Sequence, residues 1–174
     1  LGNALRIQGR LDEALACYET AISLNPDYAE AHNNKGVVYE ARGDRNQAIA
    51  SFRMALSINP SLANAHYNLG GLLFTQGNLA EALVCFREAI ALNPDFAEAR
   101  DVESLVLGRT LAQMGRNDEA VAALRRRLSI SPDFAVGHSS LLFCLSHDPG
   151  VTPEEVFAEH RAFGERFEAP FRDR

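Results

Sequence analysis

A period of 34 residues recurs along the chain. Small, aromatic and turn-forming residues return at that spacing in three successive copies. The aligned sets are Gly2, Gly36 and Gly70; Gly9, Gly43 and Gly77; Ala14, Ala48 and Ala82; Tyr18, Phe52 and Phe86; Ala21, Ala55 and Ala89; and Pro26, Pro60 and Pro94. A fixed period of this length in a helix-forming sequence is the signature of stacked helical hairpins. The period therefore predicts an all-α repeat array.

One copy, residues 63–96, shows why these residues recur. Its first helix is expected over about Ala63–Gln76, followed by Gly77 at a position that needs a left-handed C-cap. Its second helix is expected over about Leu79–Leu92. That helix ends before Pro94, because proline cannot continue a helix and biases the preceding residue away from one. Each copy is thus a pair of helices with a turn after each.

Small and apolar residues mark where the two helices of a copy meet. Gly70 and Ala82 are small at the point of closest approach, and apolar residues at three-, four- and seven-residue steps form a stripe on each helix. The stripe comprises Leu69, Leu73, Leu83, Phe86 and Ile90. This pattern resembles the tetratricopeptide repeat (TPR) over roughly residues 1–145. The resemblance implies a right-handed superhelical solenoid of antiparallel helix hairpins.

The period divides the chain into units. We expect a TPR array over residues 1–146 and a capping or linker helix over 147–174. The array would comprise a partial unit (1–28), units 29–62 and 63–96, a unit with a four-residue insertion (97–134) and a half unit (135–146). Four residues make about one helical turn, so we expect the insertion to lengthen a first helix to about Phe96–Met114. A four-residue loop bulge is the alternative.

The last expected helix breaks the repeat. Thr152, Pro153 and Glu155 supply an N-cap, a first-turn proline and a capping box. Its apolar face comprises Val156, Phe157, His160, Phe163, Gly164 and Phe167, and it runs to Ala169, before Pro170. We expect this face to cover the open end of the array, as terminal repeats require. Alternatively the face belongs to a further domain, since both chain ends indicate a fragment of a longer protein.

Composition excludes several classes of function. The formal net charge of −6 argues against a nucleic-acid partner, which needs a basic face. No apolar run of about 18 residues occurs, so we expect no membrane partner. The three cysteines form no Cys-x-x-Cys pair, which favours buried structural thiols and a cytoplasmic location.

Nothing in the sequence indicates catalysis. His32, His66 and His138 fall at one place in successive first helices, as scaffold residues do. The glycines lie at helix crossings and caps, and no phosphate-binding loop is present. We therefore expect no catalytic residues, no metal and no cofactor, and we do not expect this chain to be an enzyme.

Binding residues are expected on the first helices, which line the inner wall of such arrays. An asparagine offers one acceptor and two donors, so a row of asparagines can hold the backbone of an extended peptide. Apolar residues nearby would add contact, while simple polar surface is the alternative interpretation. The predicted site comprises Asn33, Asn34, Val37, Asn64, Tyr67, Asn68 and Phe74.

The row resembles the asparagine ladder of the O-GlcNAc transferase and SPINDLY-like families. Asn34 and Asn68 match it, whereas the later copies have Val106 and Ser140. The segment 139–169 is similar to the junction that leads into the glycosyltransferase domain of those proteins. The resemblance implies a parent protein that modifies Ser/Thr side chains from a nucleotide sugar, with a catalytic domain that lies outside this chain.

The expected function is therefore a non-catalytic scaffold that binds a protein or an extended peptide in its groove. Self-assembly into a homodimer through exposed terminal helices is one alternative. A chaperone-type adaptor that grips an acidic C-terminus is another, and it would need cations on the inner wall. The positions expected on the inner wall are instead occupied by asparagines, namely Asn3, Asn34, Asn64 and Asn68.

Overall fold

The computed structural model describes residues 1–148 and 150–168, and all regular secondary structure in that part of the chain is helical. The helices are α1 (Gly2–Ile7), α2 (Leu11–Leu24), α3 (Ala29–Ala41), α4 (Arg45–Ile58), α5 (Ala63–Thr75), α6 (Leu79–Leu92), α7 (Ala97–Gln113), α8 (Asn117–Ile130), α9 (Ala135–Ser146), α10 (Pro153–Phe163) and a π-helical segment (Gly164–Glu168). The chain forms two compact units, unit 1 (residues 1–99) and unit 2 (residues 100–174).

Unit 1 is built from three helical hairpins. The pairs are α1 with α2, α3 with α4 and α5 with α6. Each hairpin packs on the next, since α2 contacts α3 and α4 contacts α5. The first helices α3 and α5 also contact each other, so their exposed surfaces lie side by side.

The turns inside the hairpins follow the predicted chemistry. Gly43 and Gly77 have φ of +83° and +82°, the left-handed conformation that glycine adopts at least cost. Between hairpins, the side chain of Asn59 accepts a hydrogen bond from the Ser61 N–H at 3.0 Å. His66 Nε2 donates to the Pro60 carbonyl at 2.8 Å. The recurring asparagine and histidine therefore hold the turn, which explains why both return with the period.

Close packing explains the repeated glycine on the first helix. Phe52 and Phe86 are fully buried in their hairpins. A Cβ atom on Gly36 would lie 2.6 Å from the Phe52 ring, and one on Gly70 would lie 3.1 Å from the Phe86 ring. Any larger residue would push the two helices of the hairpin apart.

In the fourth copy, the insertion lengthens the first helix. Helix α7 has 17 residues, whereas α3 and α5 have 13 each. The expected extra turn is present, and the alternative of a loop bulge is not. In unit 2, helix α8 packs against α9 around a core of Ala120, Val121, Leu124, Leu128, Leu141, Cys144 and Leu145.

Arg127 occupies the place where earlier copies have alanine, and it is accommodated by partners. Its guanidinium forms an ion pair with Asp101 and donates to Ser131 Oγ at 2.9 Å. It also lies 5.9 Å from the centre of the Phe134 ring. The charge is therefore paired inside unit 2, while the buried Nε atom has no hydrogen-bond partner among the described residues.

Helix α10 begins at the predicted capping box. The Glu155 N–H donates to Thr152 Oγ1 at 3.3 Å, and the Thr152 N–H donates to Glu155 Oε2 at 2.9 Å. The helix packs against α9, and Val156 joins the unit 2 core. The α-helix ends at Phe163 and continues as the π-helical segment. The expected end at Ala169 and Pro170 lies outside the described residues.

Placing Phe157 on the buried face of this helix was wrong. Its side chain is 63% exposed, and the Arg161 guanidinium lies over its ring at 5.2 Å. Successive residues differ by about 100° around a helix. Once Val156 points into the core, Phe157 must therefore turn towards the surface.

Candidate functional site

The predicted asparagines meet across two neighbouring first helices. Asn68 Nδ2 on α5 donates to Asn33 Oδ1 on α3 at 3.1 Å. Asn33 and Asn68 are 35 residues apart, so the contact is not between the equivalent positions of two repeats. We define the first-helix face of unit 1 as the exposed surface of α3 and α5 around this bond.

The bond occupies the carbonyl oxygen of Asn33 and leaves its Nδ2 group as a hydrogen-bond donor. The Asn33 residue is buried, with 8% of its surface exposed. Because its carbonyl oxygen accepts from Asn68, its Nδ2 group lies at the other end of the amide. That group makes no hydrogen bond among the described residues, and it is not among the buried unpaired atoms. It is therefore a held donor that solvent or a ligand can reach.

The other predicted residues lie around this pair to different degrees. Asn34 and Val37 on α3 are half-buried, as is Phe74 on α5. Asn64 is exposed in the first turn of α5. No hydrogen bond between Asn34 and Asn68 is present in the described part of the chain, so the bonded pair is Asn33 with Asn68.

Tyr67 contributes an aromatic surface beside Asn68. Its ring packs edge-on against Phe86 with centroids 5.8 Å apart. Against Phe96 the two rings are tilted by 36°, with centroids 4.8 Å apart. Burial raises the pKa of the Tyr67 phenol, and the carboxylates of Glu98 and Glu40 raise it further. Tyr67 is thus packed against two aromatic rings.

Sequence reasoning missed Glu40, Phe96 and Glu98 as members of this site. Glu40 follows Asn33 by seven residues, which places both on one side of α3. Partial burial raises the pKa of the Glu40 carboxyl, although the Glu40 residue as a whole is exposed. The seven-residue spacing is the signal that could have identified Glu40. The position of Phe96 depends on packing between segments and had no local signal.

A cavity of about 540 Å³ opens beside Asn3 and Asn34. Asn3 is held by Tyr18, whose hydroxyl donates to Asn3 Oδ1 at 2.5 Å. The walls of the cavity are mostly apolar and include Cys17 and Tyr28. The cavity adds apolar surface beside Asn3 and Asn34.

The cysteines and histidines offer little chemistry. Cys85 and Cys144 are buried, while Cys17 is only half-buried, which corrects the expectation that all three are buried. Burial raises the pKa of the Cys85 thiol to about 11, so this thiol stays protonated near neutral pH. No group of three or more metal-ligating side chains occurs within the described residues.

In unit 2, the positions that correspond to Asn34 and Asn68 are occupied by Val106 and Ser140. Val106 is fully buried, and Ser140 donates its hydroxyl hydrogen bond to the Val136 carbonyl of its own helix at 2.8 Å. The candidate site therefore lies in unit 1.

Family models of the tetratricopeptide repeat match most of the array. A model described as TPR repeat matches residues 2–43, and one described as tetratricopeptide repeat matches residues 29–62 and 63–96. A third repeat model matches residues 105–134. The chain is an array of tetratricopeptide repeats, and the all-α class of helix hairpins expected from the period is confirmed. A comparison with curated proteins finds no match.

Solved structures share this fold. MamA matches with 26% identity and a TM-score of 0.79, over 95% of this chain and 94% of MamA. YrrB, a TPR protein with an unusual peptide-binding site, matches with 23% identity and a TM-score of 0.80, over 99% and 84%. The first TPR of Spaghetti (RPAP3), bound to the HSP90 peptide SRMEEVD, matches with 25% identity and a TM-score of 0.60, over 64% and 87%.

Across the part of the chain that the structure describes, none of the helices combines the length and apolar character needed to span a bilayer.

Proposed function

We propose that this chain is a protein-interaction scaffold that binds an extended segment of a partner along the first-helix face of unit 1. The observation that carries the proposal is the Asn33–Asn68 bond. It holds the amide of Asn33, a residue with 8% of its surface exposed, so that the carbonyl oxygen is occupied and the Nδ2 group has no hydrogen-bond partner among the described residues. Backbone carbonyls of an extended peptide are suitable acceptors for such a donor.

Two further observations support this proposal. Tyr67 and Phe74 are half-buried aromatic residues on the same helix as Asn68, which suits a segment that carries apolar side chains. The TPR of Spaghetti (RPAP3), which shares the fold at 25% identity, is bound to a peptide.

A finer form of the proposal concerns the parent protein and its location. We propose that the array presents partners to a glycosyltransferase domain of the O-GlcNAc transferase type. The support is the likeness of Asn34, Asn68 and segment 139–169 to those proteins. A cytoplasmic location is supported by the three cysteines, which form no disulfide. In a protein that joins both parts, Asn33→Ala with Asn68→Ala should reduce transfer to protein substrates and leave hydrolysis of the nucleotide sugar unchanged.

The main experiment selects randomised twelve-residue peptides displayed on phage against the immobilised chain. Affinities of the selected peptides are then measured by fluorescence anisotropy. Asn33→Ala with Asn68→Ala should weaken binding at least about fivefold, since each lost hydrogen bond costs roughly 0.5–1.5 kcal/mol. The control is Asn46→Ala, an exposed asparagine on the second helix α4.

The control variant should bind as the unchanged chain does. Circular dichroism establishes that the double variant is folded. If no peptide is selected, or if a folded double variant binds as tightly as the Asn46→Ala control, the proposed function is wrong.

A further inference from the structure

We propose that helix α10 is a lid that opens from α9 as one helix while the α8–α9 hairpin stays folded. Opening uncovers the side of α9 that carries His138 and Leu142. This conformational step belongs to unit 2 alone, and it is independent of the peptide binding proposed for unit 1.

Helix α10 contacts α9 through one face and buries little surface there. Its half-buried residues are Val156, Glu159 and Phe163, whose three- and four-residue steps place them on one side of the helix. None of the residues Pro153–Phe163 is buried. By contrast, the second helices of the hairpins bury between two residues in α2 and five in α6. Helix α10 is therefore held by less apolar burial than those helices are.

Leucine replaces glycine at the place where α9 would cross a second helix. In earlier copies the glycine is Gly36, Gly70 or Gly108, and a large residue of the second helix packs directly on it. The same position in α9 is Leu142, and the position of the large residue in α10 is Ala158. Ala158 is exposed. The contact between α9 and α10 therefore lacks the close crossing that fastens the hairpins.

A cavity of about 610 Å³ lies between the two helices. It is lined from both sides, by Ser139, Leu142, Phe143 and Ser146 on α9 and by His160 and Phe163 on α10. Side chains that line a cavity lose the dispersion contacts that close packing provides. Less contact energy is therefore lost when α10 opens than when a well-packed helix does.

The polar contact between α9 and α10 is also incomplete. His138 Nε2 donates to the Pro132 carbonyl at 2.9 Å, so Nδ1 is the acceptor of the neutral ring. This buried Nδ1 atom has no hydrogen-bond partner among the described residues. Glu159 Oε1 lies 3.9 Å from it, beyond hydrogen-bond distance. Because Phe163 and Phe167 pack on the histidine ring, opening of α10 lets water reach Nδ1 and favours the open state.

The test is amide hydrogen exchange of the whole chain, measured by NMR at urea concentrations below the unfolding transition. The amides from Phe157 to Phe163 should share one opening ratio, since the helix opens as a unit. They should exchange at least about 100-fold faster than the core amides of α8, yet at least about tenfold slower than in an unstructured peptide. Their exchange should depend little on urea, because local opening exposes little surface.

Two matched variants change the same kind of side chain on opposite sides of α10. Phe163 lines the cavity and contacts the His138 ring, with centroids 6.4 Å apart, whereas Phe157 is 63% exposed. Phe163→Ala should accelerate exchange of all α10 amides at least about tenfold and leave α8 within about twofold. Phe157→Ala is the control, and it should leave α10 within about twofold. Circular dichroism establishes that both variants are folded.

Three results would overturn the inference. Exchange of α10 with the protection and urea dependence of α8 would show that α10 belongs to the cooperative core of unit 2. Exchange at the rate of an unstructured peptide, or protection that declines steadily from Phe157 to Phe163, would show fraying in place of a closed lid. Equal effects of the two variants on α10, or equal acceleration of α8 and α10 by Phe163→Ala, would also contradict it.

Discussion

Units 1 and 2 use the same repeat, but they differ at the helix crossings and on the surface. Unit 1 closes its hairpins with Phe52 and Phe86 against glycines on the first helices. In the fourth copy Leu124 takes that place opposite Gly108. Unit 1 also presents the Asn33–Asn68 pair, for which the described residues of unit 2 have no counterpart.

The comparison shows that the repeat specifies the hairpin and leaves its surface free. Turn glycines with positive φ occur in both units, at Gly43 and Gly115 for example. The turn depends on backbone conformation, which one residue can secure. The exposed face of a first helix is not constrained by the turn, so its residues can vary with the partner.

The largest expected effect is from Phe86→Ala in unit 1. The ring is fully buried, so its removal should lower the free energy of unfolding by about 3–5 kcal/mol. All four tyrosines lie in residues 1–99 and the chain has no tryptophan, so tyrosine fluorescence during denaturation reports unit 1. The control variant is Leu124→Ala in unit 2, and its unfolding is followed by circular dichroism. A loss below about 1 kcal/mol for Phe86→Ala would contradict the packing described.

A smaller difference is expected between two glycine substitutions. A Cβ on Gly36 would lie 2.6 Å from the rigid Phe52 ring, whereas one on Gly108 would meet the flexible end of Leu124 at 3.0 Å. Alanine gains about 1 kcal/mol of helix propensity at either site. Overpacking of about 1–3 kcal/mol should exceed that gain only in Gly36→Ala. Urea denaturation of both variants measures the difference, and equal stabilities would show that the two crossings are alike.

The capping box of α10 should contribute about 1 kcal/mol to unit 2. Thr152→Ala removes the side-chain acceptor for the Glu155 N–H, a loss that typically costs about 0.5–2 kcal/mol. Amide hydrogen exchange over residues 155–163 should become faster, while exchange in α4 stays unchanged. Thr20→Ala, at an exposed position within α2, is the control. Unchanged exchange in α10 would mean that packing alone holds the helix.

The smallest effect is expected from Phe157→Ala. Because this ring is 63% exposed, the free energy of unfolding should change by less than about 0.5 kcal/mol. Thermal denaturation followed by circular dichroism is sufficient. A loss near that of Phe86→Ala would show that Phe157 is buried in solution, for example in a homodimer.

Much of the fold was predictable because it depends on local chemistry. The glycine caps, the end of each second helix before proline and the capping box at Thr152 each involve residues a few positions apart. The extra turn of α7 followed from spacing alone, since four residues keep an apolar stripe in phase. The site was predicted less completely. Asn33 and Asn68 were both named as candidate site residues, but the sequence did not indicate that they bond to each other.

The sequence by itself determined that this protein is an array of helix hairpins and where each hairpin turns. Those features depend on backbone preferences and on a period that every copy repeats. Only the tertiary structure decided that Asn68 bonds Asn33, that Tyr67 packs against Phe96, and that Phe157 faces outward. Each of these depends on how helices from different copies pack side by side. That packing follows from the fit of many side chains, which no single stretch of sequence specifies.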